Sequence, residues 1–414
     1  MPPFPVDQVR VQFPSLARRA GEVRAAFLDG PGGSQVPQRV IDAVSGYLLR
    51  GNANSGGVFA TSVETDAMLD AAHAAAADLL GTDDPGEVAF GANMTTLTMA
   101  LARALARTWN PGDEVLVTRA DHDANVAPWL LAARDAGAVA RHVEIRREDG
   151  TLDLDDLARK LSRRTRLVAV GCASNAIGTI HPVQRIAERA RAAGALVFLD
   201  AVHHAPHALV DVAAWGCDFL ACSAYKFFGP HVGLLWGRRE LMETLPAYKV
   251  RPACDAVPTR WETGTLNHEG IAGTLAAVEY LAELGRTLDP AATGRRAAIA
   301  AAFHGIQAYE QDLSRQALAC LSAVPGLTLH GIADPARVAE RTPTFAFTHE
   351  RRSPAEIARF LAGRGIFTWS GNFYALALTE ALGLEPEGVL RAGLLHYNTA
   401  EEVARLGDAL MELA

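Results

Sequence analysis

Between residues 85 and 240 short apolar, β-rich runs alternate with longer Ala/Leu-rich stretches of helical periodicity. The pattern predicts strands over 87–90, 114–118, 166–170, 196–199 and 219–223, and helices over 95–107, 129–135 and 183–193. The runs are apolar at almost every position, as expected of strands buried on both faces. Alternation of this kind predicts an α/β fold with an open, mainly parallel sheet. The last third reads differently. Helices are expected over 271–284 and 291–324, strands over 327–329 and 344–347, and further helices over 354–364 and 399–413. This predicts a smaller α+β domain.

Length and composition narrow the class. The 414 residues allow two domains, and 49% hydrophobic against 21% charged residues fits an ordinary globular chain. The net charge of −8 argues against a nucleic-acid or membrane-phosphate binder. No uncharged stretch reaches the roughly 18 apolar residues of a membrane span. The start, MPPFPVDQVR, lacks the basic and apolar regions of a signal peptide, so a cytoplasmic location is expected. Cys172, Cys217, Cys222, Cys254 and Cys320 form no CxxC pair, against a disulfide framework or structural zinc. Of 39 Lys and Arg residues only Lys160, Lys226 and Lys249 are lysines, so amine chemistry has three candidates.

In parallel sheets ligands sit beyond the carboxyl ends of the strands. The first predicted strand is followed by Asn93-Met94-Thr95-Thr96, either a phosphate site at a helix N-terminus or a plain N-cap. The second precedes Asp121-His122-Asp123, where His122 could stack on a flat cofactor, bind a metal or face solvent. The third precedes Ser174-Asn175-Ala176-Ile177-Gly178, where Asn175 could donate to a ligand or make a turn. The fourth ends at Asp200, a carboxylate that is costly at the end of a buried strand unless paired with a metal, a base or a protonated ring nitrogen. His203, His204 and His207 follow it, but HHxxH is not the HExxH pattern of zinc enzymes, and no metal is expected. The fifth precedes Ser223-Ala224-Tyr225-Lys226-Phe227-Phe228-Gly229-Pro230. An amine among aromatic residues is desolvated, which lowers its pKa and favours Schiff-base chemistry. Lys160 and Lys249 lie in more polar surroundings. Together the strand ends offer what pyridoxal 5′-phosphate (PLP) requires: an amine, an acid for the pyridinium nitrogen and a phosphate site. The turn Gly30-Pro31-Gly32-Gly33-Ser34-Gln35 lacks the third glycine of a dinucleotide loop.

From Phe27-Leu28-Asp29 to His396-Tyr397-Asn398-Thr399-Ala400-Glu401-Glu402 the chain resembles the class V aminotransferase family of fold-type-I PLP enzymes, in its cysteine-desulfurase-like branch. The resemblance implies an aspartate-aminotransferase-like fold: a seven-stranded, mainly parallel sheet between helices in a large domain over 27–265, with residues 1–26 and 266–414 forming the small domain. It implies that Lys226 binds the cofactor covalently and moves protons. Asp200 then pairs with the pyridinium nitrogen, His122 stacks on the ring, and His203 and Asn175 lie by the phenolic oxygen. Thr95 and Ser223 hold the phosphate, with Tyr225 where desulfurases usually have histidine, and Met94 also binds the cofactor. Arg391 takes the substrate α-carboxylate, a task suited to a bidentate guanidinium. Gly33, Asn175 and Tyr374 border the substrate. Thr265 reaches the phosphate of a second subunit, which implies a homodimer with shared active sites.

One departure changes the expected function. Desulfurases carry a nucleophilic cysteine shortly before the carboxylate arginine. Here the segment reads Thr368-Trp369-Ser370-Gly371-Asn372-Phe373-Tyr374, and no cysteine follows Cys320. Tyr374 stands at the cysteine position, Trp369 replaces a substrate-binding arginine, and Gly56 and Gly57 lie near expected His and Arg positions. The expectation is therefore a PLP-dependent lyase or transferase acting on an amino acid. A lyase that breaks a Cβ–S bond comes first. Transamination, racemisation with Tyr374 as the opposite acid, and a non-catalytic PLP-fold binding protein are the alternatives.

Overall fold

The chain places seven strands side by side: β1 Val88–Gly91, β2 Glu114–Thr118, β3 Val139–Val143, β4 Thr165–Gly171, β5 Leu196–Asp200, β6 Phe219–Ser223 and β7 Gly233–Gly237. The structure is a computed structural model that describes residues 3–413. Met1, Pro2 and Ala414, the outermost positions of the expected small domain, lie outside the described residues. Across the sheet the order is β1-β7-β6-β5-β4-β2-β3. The pairs β6–β5, β5–β4, β4–β2 and β2–β3 are parallel. Strand β7 is antiparallel to both β1 and β6, so β1 points the same way as β6. The carboxyl ends of β1, β6, β5, β4 and β2 therefore share one edge.

Both faces of this sheet are covered, which explains the unbroken apolar runs. Successive residues of one strand enter different cores: Val197 and Leu199 join one cluster, and Phe198 joins the other. Each is essentially inaccessible, and burying such a side chain contributes about 1.5–3 kcal/mol. The main helices are α1 Gln38–Gly51, α2 Ala60–Leu80, α3 Met94–Ala106, α4 Ala127–Ala136, α5 Val183–Ala192, α6 His268–Leu288, α7 Gly294–Ser322, α8 Pro354–Ala362, α9 Leu376–Leu382 and α10 Ala400–Met411.

A second, four-stranded sheet is antiparallel throughout: β8 Leu327–His330, β9 Thr344–His349, β10 Trp369–Gly371 and β11 Val389–Gly393, in the order β8-β9-β11-β10. Its core joins Phe345, Phe347 and Leu390 to Leu313, Leu361 and Leu406 of the helices. Two capping boxes, Ser353 with Glu356 and Thr399 with Glu402, start α8 and α10. The segment Ala26–Phe27 pairs with Ile366–Phe367, and Asp29 bridges to Gly393. This brings the early motif Phe27-Leu28-Asp29 beside Arg391.

Several elements were not expected from the pattern. Strand β3 is an edge strand with an alternating exposed face, so it carries no apolar run. Strand β11 is fully buried, but Arg391 interrupts its hydrophobic sequence. Helices α1, α2 and α9 and strands β7 and β10 also lie outside the predicted set. Among the described residues no helix is long and apolar enough to cross a membrane.

Candidate active site

The five aligned strand ends open into one cavity of about 1350 Å³, which β10, β11 and the turn between β10 and α9 also line. Lys226 ends a short helical turn after β6 and is only 9% exposed. Its Nζ donates to the main-chain oxygen of Pro31 and lies 4.8 Å from the ring centre of Tyr225. Burial above all, and then the charge of Arg391, lowers its pKa to about 7. Lys160 and Lys249 are paired with Asp156 and Asp255 and do not line the cavity.

Asp200, the last residue of β5, accepts from the Val202 N–H at 2.8 Å. Burial raises its pKa to about 6, against the pull of that hydrogen bond and of Lys226. His122 accepts from the Ala124 N–H at 3.0 Å through Nδ1, which leaves its proton on Nε2. Burial, Lys226 and Arg391 lower its pKa to about 4, so the ring is neutral. Beside β1, the Met94 N–H donates to Ser223 Oγ at 2.9 Å, and Thr95 opens the first turn of α3. A side chain at Gly233 would place its Cβ 2.4 Å from Asn93, so β7 can approach this turn only with glycine there. Gly33 faces Tyr225, where an added Cβ would stand 3.4 Å from the ring.

The other side of the cavity belongs to Arg391 and Asn175. Arg391 is 4% exposed and donates from Nη1 to the Asn175 main-chain oxygen at 2.8 Å. Burial lowers its pKa to about 9, so it keeps its charge at neutral pH. Asn175 Nδ2 donates to the Phe373 main-chain oxygen at 2.9 Å, while its buried Oδ1 has no protein partner. His203 Nε2 meets the hydroxyls of Thr342 and Thr344 at 3.2 and 3.0 Å, and burial holds its pKa well below the ordinary value.

Lys226, Asp200, His122, Asn175, His203, Ser223, Tyr225, Met94, Thr95, Gly33, Tyr374 and Arg391 thus line one cavity. Thr265 does not; it is exposed in the segment before α6. The HHxxH residues take separate hydrogen-bond and packing partners. His204 packs edge-on against Trp215, and His207 Nδ1 meets Glu310 Oε2 at 2.8 Å. Among the described residues no three His, Cys, Asp or Glu side chains form a metal-binding group.

Two further carboxylates, Asp121 and Asp29, line the cavity. Asp121 accepts from the Gly171 N–H and from Asn125 Nδ2, and burial raises its pKa to about 8. Asp29 has a buried Oδ1 without a partner, and burial raises its pKa too. The signal was the same as for Asp200: each is a carboxylate just after a buried apolar run.

The aminotransferase class-V family model matches residues 26–406. A cysteine desulfurase of Pectobacterium atrosepticum is 32% identical over 426 residues, covering 99% of this chain and 98% of that protein. One of Yersinia pseudotuberculosis is 32% identical over 430 residues, with the same coverage. Among solved structures, the apo cysteine desulfurase of Thermococcus onnurineus has a TM-score of 0.87 at 26% identity, covering 98% of this chain and 97% of that one. A cysteine desulfurase of Escherichia coli gives 0.82 at 26% identity, covering 99% of each chain. The chain therefore belongs to the class V aminotransferase family of fold-type-I, PLP-dependent enzymes, in company with its cysteine desulfurases.

Proposed function

We propose that the protein is a PLP-dependent lyase that breaks the Cβ–S bond of an amino-acid substrate rather than a desulfurase that carries sulfur on a cysteine. The observation that carries this reading is the cavity wall: it holds Lys226, Asp200 and Arg391, but no cysteine lines it among the described residues. Cys172, although next to lining residues, is buried with its thiol pKa well above the ordinary value. Thiolate, not thiol, is the nucleophile, so a persulfide has no acceptor there.

The residues present fit the cofactor. A desolvated amine, a carboxylate at a strand end, a flat neutral imidazole and a serine–helix N-terminus lie on one edge, with the unpartnered Asn175 Oδ1 among them. In this reading Lys226 holds the cofactor covalently, Asp200 pairs with its ring nitrogen, and His122 stacks on it. His203 and Asn175 face its phenolic oxygen, and Met94, Thr95, Ser223 and Tyr225 hold its phosphate. When bound, the cofactor supplies an electron sink for a negative charge at Cα. Arg391 binds the substrate carboxylate through N–H groups not used by Asn175. Gly33 and Tyr374 border the substrate. Lys226 takes the Cα proton, and its lowered pKa suits it to act as a base near neutrality. The Cβ–S bond then breaks with its electron pair on sulfur. A thiolate leaves without help from an acid, so no second proton donor is required. The remaining enamine takes up one water. The balance is a cysteine thioether and water in, and a thiol, pyruvate and ammonium out.

The homodimer belongs to the same reading. Leu49 near the end of α1, and Val58 and Phe59 just before α2, are 85, 100 and 58% exposed, apolar side chains suited to contact with a second copy. Thr265, exposed and outside its own cavity, is then free to serve the partner's phosphate site. A cytoplasmic location is part of the proposal.

The test is product analysis of the PLP-loaded protein with L-cysteine and its S-conjugates. Pyruvate and ammonia are expected in equal amounts, with an equal amount of thiol from the conjugates or of hydrogen sulfide from cysteine. A keto acid that retains the substrate side chain would make the protein an aminotransferase instead.

A further inference from the structure

The turn between β10 and α9 holds two consecutive non-glycine residues in the left-handed region, Phe373 at φ 56° and Tyr374 at φ 58°. Backbone strain of this kind persists where the surroundings over-determine it, and it clusters at functional sites. Hydrogen bonds on both sides fix the turn. Asn175 Nδ2 donates to Phe373 O at 2.9 Å, and the Asp123 N–H donates to Tyr374 O at 2.7 Å. The Tyr374 N–H donates to Asn372 Oδ1 at 3.1 Å, and Asn372 Nδ2 donates to Glu385 Oε1 at 3.1 Å.

The strained backbone aims two rings at the binding groups. The Phe373 ring lies on the guanidinium of Arg391, 3.9 Å from ring centre to Cζ. The Tyr374 ring stacks on His122 at 5.3 Å with an angle of 24° between planes. Trp369 stands across from Arg391 in the β10–β11 register and lines the same cavity. Trp369 is 61% and Tyr374 72% exposed, so these rings are not filling a core. Free cysteine would leave this aromatic wall without a partner.

We propose that Phe373, Tyr374 and Trp369 form the side-chain subsite, and that the substrate is a cysteine S-conjugate with an aromatic or bulky apolar group on sulfur. The inference rests on the lyase reading and names its substrate class. Arg391 holds the α-carboxylate while Phe373, on the guanidinium face, bounds the space next to it. The sulfur substituent then lies against Tyr374 and Trp369. Cleavage expels the substituted thiolate, and aryl thiolates leave more readily than hydrogen sulfide.

Two measurements on the PLP-loaded protein test this. The first is kcat/KM for pyruvate from S-phenyl-L-cysteine and from L-cysteine. The second is the Kd of L-homophenylalanine, which cannot eliminate, against that of L-alanine, followed by calorimetry. The conjugate is expected to be preferred at least tenfold, and homophenylalanine to bind at least about tenfold tighter than alanine. Phe373→Asn and Tyr374→Asn, which keep a residue tolerant of the left-handed backbone, and Trp369→Ala, at an exposed position, should each shrink both ratios. Pyruvate from cysteine at an equal or higher kcat/KM would overturn the substrate class and leave the lyase reading intact. Pyruvate from neither substrate would overturn the lyase reading and this inference together. Equal Kd values for homophenylalanine and alanine, or ratios unmoved in all three variants, would overturn the subsite.

Discussion

Arg391 and Asn175 hold each other across the two sheets. The arginine, in the middle of β11, donates to the main-chain oxygen of Asn175 beyond β4 at 2.8 Å. The carboxylate site proposed at Arg391 would therefore be fixed to the frame that positions Lys226. Charge-assisted hydrogen bonds contribute about 1.5–3 kcal/mol. Arg391→Ala should raise KM for α-amino acids by about 10²-fold while PLP binding, read from visible absorbance, survives. An unchanged KM would place the carboxylate elsewhere.

Lys226 should react with PLP as an amine of unusually low pKa. Only the neutral amine attacks the aldehyde. The rate of covalent capture by cofactor-free protein should therefore rise with pH through about 7 and level off above it. An ordinary lysine would still be gaining reactivity toward pH 10. The Arg391 charge is the second cause of the depression, so Arg391→Met should move the midpoint upward. Lys226→Ala should abolish the visible band, whereas Lys160→Ala and Lys249→Ala should keep it. A band retained in Lys226→Ala would sink the assignment.

Asp200→Asn separates holding the cofactor from activating it. The amide can still accept from the Val202 N–H, so the β5 end should keep its shape. It cannot stabilise a protonated ring nitrogen. Loss of one such electrostatic partner costs about 10²–10³ in kcat. That loss is expected with PLP still bound, and a loss below threefold would remove Asp200 from this role.

The large sheet was legible because burial on both faces writes a continuous apolar run. Strands β2 and β6 have the bounds that the runs predicted. Strand β3 was not legible, because one edge and one exposed face leave Arg141 and His142 in it. Strand β11 was hidden by Arg391, a charge that interrupts a buried strand and lines the cavity. Helix α1 bears exposed Ile41, Leu48 and Leu49, so its pattern does not follow the burial of a single chain. The site was legible one strand end at a time, since each contributes a residue of distinct chemistry. The turn at Phe373 and Tyr374 was not, because neither residue announces a left-handed backbone as glycine would.

The exposed Leu49, Val58 and Phe59 side chains predict a dimer that charge should break. Sedimentation of the native protein should give twice the chain mass. Leu49→Asp combined with Val58→Asp should give a monomer, because both positions are exposed in the single chain and neither supports its core. If Thr265 serves the partner's phosphate site, the monomer should also lose PLP affinity, as should Thr265→Ala in an intact dimer. A native protein that sediments as a monomer would exclude shared sites.

The His207–Glu310 pair predicts a stability effect separable from catalysis. The two side chains are about 97% buried and meet at 2.8 Å, while His207 Nε2 and Glu310 Oε1 have no protein partner. Burial raises the Glu310 pKa, and His207 opposes the rise. Removing one member leaves the other desolvated and without its hydrogen-bond partner, which costs about 1–3 kcal/mol. Glu310→Leu should therefore lower urea stability by that amount. Glu310→Gln keeps an acceptor for the His207 Nδ1–H and should cost about 1 kcal/mol. The double variant His207→Leu/Glu310→Leu removes both polar groups and should be less destabilised than the sum of the single changes. Additive losses in the double variant would mean that the two side chains contribute by packing alone. The ring of His207 also lies edge-on to His203, 5.5 Å between centres, at the back of the cavity. A change in the absorbance maximum of bound PLP in Glu310→Gln, at nearly unchanged stability, would show that this pair also sets the environment of His203.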